Sequence, residues 1–144
     1  GLAQMHLGNF STAKEDLSQA AELKDDYAKA HFLLGMTHAN LEDQQEAIAN
    51  YTRAIEMNKE YAQAYYYRGV SKGIQNQHEQ ALEDYDKAIE IDSTFAMAYY
   101  NRGVSKVALN RFAQGCQDFY TALDYGFQPA QKMIKTYCGN HPRK

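Results

Sequence analysis

Residues 62–92 and 96–126 match at 13 of 31 positions without a gap, at an offset of 34 residues. Carried along the chain, that offset stacks small residues in four columns. They are Gly35, Gly69 and Gly103, with Gly1 in phase; Ala30, Ala64 and Ala98; Ala13, Ala47, Ala81 and Gly115; and Ala20, Ala54, Ala88 and Ala122. Fixed self-similarity of this length defines a stack of identical supersecondary units, each unable to bury its apolar face alone. A small residue recurring at one place in such a unit marks a close approach of helix backbones, because a larger side chain would hold the neighbour away.

Between the columns, the segments Ala28–Leu41, Gln44–Met57, Ala62–Gln75, Glu79–Ile91, Ala96–Leu109 and Phe112–Leu123 have apolar residues at helical spacing and good helix formers. Turn-forming residues separate them at Asn40–Asp43, Asn76–Gln77, Asn110–Arg111, Asn58–Tyr61 and Asp92–Phe95. Links this short join antiparallel neighbours. The expected fold is therefore all-α, a superhelix of antiparallel helical hairpins. After Gly126 the period is expected to break, and Pro129 to open a capping helix that ends near Gly139-Asn140. The units are then a partial first repeat over 1–27, full repeats over 28–61, 62–95 and 96–128, a capping helix over 129–139 and a tail over 140–144. The first repeat would hold the end of one helix, Gly1–Leu7, and a second helix, Ser11–Leu23. From that truncation a segment of a longer protein with an open first face is expected.

The 34-residue period together with Leu34-Gly35, Ala47, Tyr51 and Ala54 resembles the tetratricopeptide repeat. His31, Tyr65 and Tyr99 hold the usual Trp place, and Tyr51, Tyr85 and Phe119 the later aromatic place. Departures are His38, Lys72 and Lys106 at the second aromatic place, and Lys59 and Ser93 where Pro is usual. They are typical of a divergent subgroup, and the array with its cap looks bacterial in type. The resemblance implies a right-handed solenoid whose first helices line a concave groove. Its wall would be Lys29, Phe32, Leu33, Met36, Gln63, Tyr66, Tyr67, Val70, Met97, Tyr100, Asn101 and Val104. Ordinary solvent-facing positions carry Lys, Glu or Gln, so this aromatic and nearly uncharged wall departs toward the composition of binding surfaces. Packing of the rings across adjacent repeats is the competing explanation. Relatives that grip chaperone carboxylates use Lys, Asn and Arg here; with Phe32, Met36, Tyr66 and Tyr67 in those places and only Asn101 of the right type, no such clamp is expected.

Arg68 and Arg102 stand where the family has Leu, each with an acid sixteen residues later, Asp84 and Asp118, whereas Leu34 is matched by the neutral Asn50. The pattern predicts a structural Arg–Asp pair closing each of those two hairpins. Cys116 and Cys138 read first as buried free thiols. Packing of the capping helix could also bring them together, and their spacing resembles the end of other bacterial arrays; a disulfide would imply an oxidising compartment. A cytoplasmic location is slightly favoured over the bacterial periplasm.

The formal charge of −3 and the absence of a basic cluster beyond Arg143 and Lys144 argue against nucleic acid as the partner. No stretch reaches the length of a membrane span. His31 and His38 occupy aromatic places of the repeat, while His6, His78 and His141 are scattered, so neither metal nor cofactor is expected. Glu79, Glu83, Asp86 and Glu90, with Lys87, are spaced as a solvated helix face. The sequons at Asn9 and Asn50 lie on or beside helices and read as chance matches. A non-catalytic scaffold that binds an extended or helical segment of another protein is the leading reading. A self-assembling spacer, joined through the open first repeat, and a regulatory module of a larger protein are the alternatives.

Overall fold

The computed structural model describes residues 16–144, with side chains from residue 23 onward. Gly1–Leu7, Ala13, His6 and the Asn9 sequon lie outside the described residues. Seven helices are described: α1 Asp16–Asn40, α2 Gln44–Met57, α3 Ala62–Ile74, α4 His78–Ile91, α5 Ala96–Ala108, α6 Phe112–Asp124 and α7 Ala130–Tyr137. Each packs antiparallel on the next, and α3 also touches α1 and α5, so the hairpins α1–α2, α3–α4 and α5–α6 stack in a row.

The column residues explain that stacking. A Cβ built on Gly35, Gly69 or Gly103 would lie 2.5 Å from Tyr51 Cε1, 2.7 Å from Tyr85 Cε1 or 2.6 Å from Phe119 Cε1. Each hairpin thus closes with an aromatic ring pressed on the glycine of its first helix. Tyr51, Tyr85 and Phe119 are almost completely buried, as are Ala47, Ala54, Ala81, Ala88 and Ala122. Gly103 is tighter still, because its missing Cβ would also meet the Gly115 carbonyl oxygen at 2.9 Å. Backbone cannot step aside as a side chain can. Gly103→Ala is therefore expected to cost about 1–3 kcal/mol through overpacking, measured by urea unfolding. Gly73 is the control, since its added Cβ meets nothing closer than 3.8 Å, and Gly73→Ala should be neutral or stabilising by up to about 1 kcal/mol through helix propensity.

Turns inside the hairpins share one geometry. Glu42, Asn76 and Asn110 take φ of 63°, 63° and 62°, and the N–H of the next residue returns to a carbonyl five positions back, as from Gln77 to Lys72 at 2.9 Å. This is the double hydrogen bond that ends helices with a left-handed residue. Between hairpins the chain turns differently. Asn58 and Asp92 are extended, and their side-chain oxygens accept from the N–H of Glu60 and Thr94, both at 3.1 Å. The Tyr65 and Tyr99 hydroxyls then donate to the carbonyls of Lys59 at 3.2 Å and Ser93 at 3.0 Å, which fastens the two positions where Pro was missing.

One boundary differs from expectation. The second helix of the first repeat and the first helix of the next are not separate: α1 runs unbroken through residues 24–27. Lys24 stands in the column of Asn58 and Asp92, and it has no short side-chain acceptor to cap a turn, so nothing there competes with continued helix. Further along α1, Leu33 and Leu34 are 49% and 47% exposed and Ala30, unlike Ala64 and Ala98, is only half-buried.

At the other end the period continues past Gly126. Ala130 of α7 is fully buried and continues the column of Ala62 and Ala96, so α7 begins in the register of a fourth first helix. It is cut short at Tyr137.

Candidate functional site

The wall expected on the first helices divides once side chains are in place. Lys29, Leu33, Gln63 and Met97 are exposed; Phe32, Met36, Tyr67, Val70, Tyr100, Asn101 and Val104 are half-buried. Tyr66 is different. Only 3% exposed, it sits among Ala81, Tyr85, Ala88 and Ala98, its ring 4.9 Å from Phe95 and edge-on to Tyr67 at 4.8 Å. Its hydroxyl accepts from Asn101 Nδ2 at 2.8 Å, joining α3 to α5. Tyr66 therefore belongs to the core, because its residue faces the next hairpin rather than the open side. Packing also holds the others in part: Phe32 meets Tyr61 at 5.0 Å, and Tyr100 meets Phe127 at 4.9 Å. Burial, reinforced by the neighbouring Tyr67, raises the Tyr51 hydroxyl to about 12, so this seam of rings stays uncharged.

Two crevices open along the half-buried residues. The first, about 230 Å³, is lined by Met36, Ala39, Asn40, Gln44, Tyr51, Tyr67, Val70, Ser71 and Ile74. The second, about 190 Å³, is lined by Val70, Gly73, Ile74, His78, Tyr85, Asn101, Val104 and Ser105. Advancing the first set by 34 residues reproduces all eight residues of the second, Met36 passing to Val70, Gln44 to His78, Tyr51 to Tyr85 and Tyr67 to Asn101. They are one crevice made twice. Five of these residues, Met36, Tyr67, Val70, Asn101 and Val104, were expected from family geometry; Gln44, Ile74 and His78 were missed because the expected wall took in neither the last turn of the first helices nor the start of the second.

Behind this wall lies a charged seam. Arg68 donates from Nε to Asp84 Oδ2 at 2.9 Å and from Nη2 to Oδ1 at 2.7 Å. Arg102 does the same to Asp118 at 3.0 and 2.7 Å. Lys72 and Lys106 close on the same two carboxylates at 3.0 and 2.9 Å. The third donor of each guanidinium reaches back to the preceding hairpin, Arg68 to Thr52 at 3.2 Å and Arg102 to Asp86 at 3.0 Å. The predicted pairs thus also tie hairpin to hairpin. Where Leu34 replaces the arginine, Asn50 Oδ1 lies 3.2 Å from His31 Nδ1 instead.

Cys116 and Cys138 are joined as a disulfide, with Cα atoms 5.7 Å apart. The paired alternative of the sequence reading is the one present, and both residues are buried among Phe119, Ala122 and Ala130. Among the described residues no group of three or more His, Cys, Asp or Glu side chains is placed to hold a metal ion, and no helix is long and apolar enough to cross a membrane.

An array of antiparallel hairpins with repeated crevices on its first helices is a helical-repeat solenoid. Family models described as tetratricopeptide repeat and TPR repeat match residues 28–61 and 74–110, and the chain belongs to the tetratricopeptide-repeat family. Similar solved structures include the TPR domain of Arabidopsis OM64, at 24% identity over 78% of this chain and 98% of that one, with a TM-score of 0.74. MamA is 31% identical over 72% of this chain and 61% of its own, with a TM-score of 0.67. The first TPR of Spaghetti (RPAP3), solved bound to an HSP90 peptide, SRMEEVD, is 17% identical over 79% of this chain and 94% of that one, with a TM-score of 0.77. No curated protein sequence matches the chain.

Proposed function

We propose that this chain is a non-catalytic protein-interaction scaffold that holds a polypeptide segment against the first helices of its hairpins. The observation that carries the reading is the nearly uncharged wall itself, in which Tyr67, Val70, Tyr100 and Val104 remain half-open over a stack tied together by Arg–Asp ion pairs. Half-buried tyrosine offers a large apolar face with little rotamer freedom to lose on binding. Similar solved structures that carry chaperone peptides, such as the first TPR of RPAP3, support a polypeptide ligand. A carboxylate terminus of that kind is not the ligand proposed here. Lys72 and Lys106 are committed to Asp84 and Asp118, and the Asn101 amide is committed to Tyr66.

Peptide display on the intact chain tests this. Ligands selected on it should lose at least tenfold in affinity with Tyr67→Ala or Tyr100→Ala, while the folded circular dichroism signal persists. Selected ligands indifferent to both substitutions would reject the wall. The exposure of Leu33 and Leu34 favours a second reading, in which another copy covers the open face of α1. Light scattering over a concentration range, repeated with Leu34→Arg, separates the two.

The Cys116–Cys138 bond supports placing the chain in an oxidising compartment, against the slight cytoplasmic preference of the sequence.

A further inference from the structure

We infer that the segment bound to this wall is an extended, polyproline-like strand carrying uncharged apolar side chains three residues apart, one seated in each of the two crevices. The inference rests on the scaffold reading above and names its ligand. Both crevices, at about 230 and 190 Å³, fall below the roughly 300 Å³ at which small-molecule sites begin, so each is sized for a side chain. Their walls carry no carboxylate, lysine or arginine, and His78 is the one titratable imidazole between them. A charged anchor would lose its water there without gaining a counter-charge.

Spacing follows from the repeat. The crevices share Val70 and Ile74 of α3 and lie on either side of it, so their separation is that of neighbouring packed helices, about 8–10 Å. A polyproline-type strand rises about 3.1 Å per residue with three residues per turn, which returns a side chain to the same face every ~9 Å. A β-strand returns one only every two residues, about 6.7 Å.

The first crevice also shows what it lacks. Gln44 Oε1 is buried without a hydrogen-bond partner, alone in this among the side-chain atoms of the described residues. A backbone N–H beside the first anchor would satisfy it, so that ligand residue is not proline. One repeat beyond the second crevice, the chain fills the corresponding place itself. Phe112 stands in the column of Gln44 and His78, and Tyr137 of α7 meets its ring at 6.2 Å.

The test uses fluorescein-labelled ten-residue peptides of Pro, Gln and Ala carrying one Leu, or two Leu at offsets of two, three or four, titrated with the intact chain by fluorescence anisotropy. The offset of three should bind at least tenfold tighter than one Leu and several-fold tighter than the other offsets. Ala39→Leu and Gly73→Leu fill the first and second crevice respectively, and a Cβ at Gly73 has ordinary contacts of 3.8 and 3.9 Å. Each should cut binding of the offset-three peptide about tenfold without lowering the melting temperature, and Gln44→Met should weaken it several-fold. Equal binding at all offsets, or binding untouched by both filled crevices, overturns the inference. Display-selected ligands that need Tyr67 and Tyr100 but carry no such Leu pair would end it while leaving the scaffold reading intact; ligands indifferent to the wall would end both.

Discussion

Asp84→Ala is expected to lower the unfolding free energy by about 3–5 kcal/mol, the cost of leaving a buried charge without its counter-charge. Asp84 is 3% exposed and compensates two cations, Arg68 through two hydrogen bonds and Lys72 through a third contact. Among the described residues neither cation pairs with another carboxylate, and the remaining donor of Arg68 is on the neutral Thr52. Asn50→Ala is the matched control. Asn50 holds the same place one repeat earlier and is nearly as buried, yet its partners are His31 and the Glu46 carbonyl. Losing neutral hydrogen bonds costs about 1 kcal/mol. Arg68→Leu combined with Asp84→Asn approaches the Leu34–Asn50 arrangement and should recover more than half of the loss, because no unpaired guanidinium remains and Lys72, whose side chain is 17% exposed, can turn its ammonium to water. Urea unfolding with global fits reads all three. Equal losses for Asp84→Ala and Asn50→Ala would show that the pair contributes nothing beyond packing.

Asp118 is expected to be less sensitive for a reason visible in its partner. Burial by itself would depress the Arg102 guanidinium, but hydrogen bonds and charge from Asp118 and then Asp86 raise it instead. When Asp118 is removed, Asp86 still faces Arg102 at 3.0 Å. The two hairpins differ by one acid on the preceding helix, which Thr52 does not supply.

The parts of this fold legible in the sequence were those enforced by sterics at short range. Gly35, Gly69 and Gly103 could be read as helix contacts because only glycine admits a ring at such distances, and the offset of sixteen between Arg68 and Asp84 fixed their pairing because it recurs at Arg102 and Asp118. Three features were hidden. The continuation of α1 past Lys24 depended on a missing cap, and absence of a turn signal between two good helical segments is weak against a strong repeat pattern. Tyr66 and Tyr67 are adjacent on one helix, so which of them faces the next hairpin is set by a rotation of about 100° per residue, beyond the resolution of a family analogy. The twin crevices required the gap between adjacent first helices, a distance no single repeat encodes.

Reduction of Cys116–Cys138 is the second large effect expected. Under denaturing conditions without reductant the chain should show no free thiol, and two after reduction. The bond spans 22 residues, for which closure of the unfolded loop is worth about 3 kcal/mol. Its effect should be local, since stability in a stacked array passes only between neighbours. Hydrogen exchange should therefore accelerate in α7 and in the tail, where Tyr120 donates to the His141 carbonyl at 2.8 Å and Gln117 to that of Pro142 at 3.1 Å. Helices α2, α3 and α4 should be nearly unchanged. Cys116 stands in the column of Ile48 and Leu82, and Cys138 in that of Val70 and Val104, so the bond occupies places that earlier repeats fill with apolar side chains. Cys116→Leu with Cys138→Val restores those residues without the covalent tie. If that variant holds α7 as firmly as the oxidised protein does, the helix is secured by packing; if α7 exchanges as fast as in the reduced protein, the disulfide is what holds an eight-residue helix on α6.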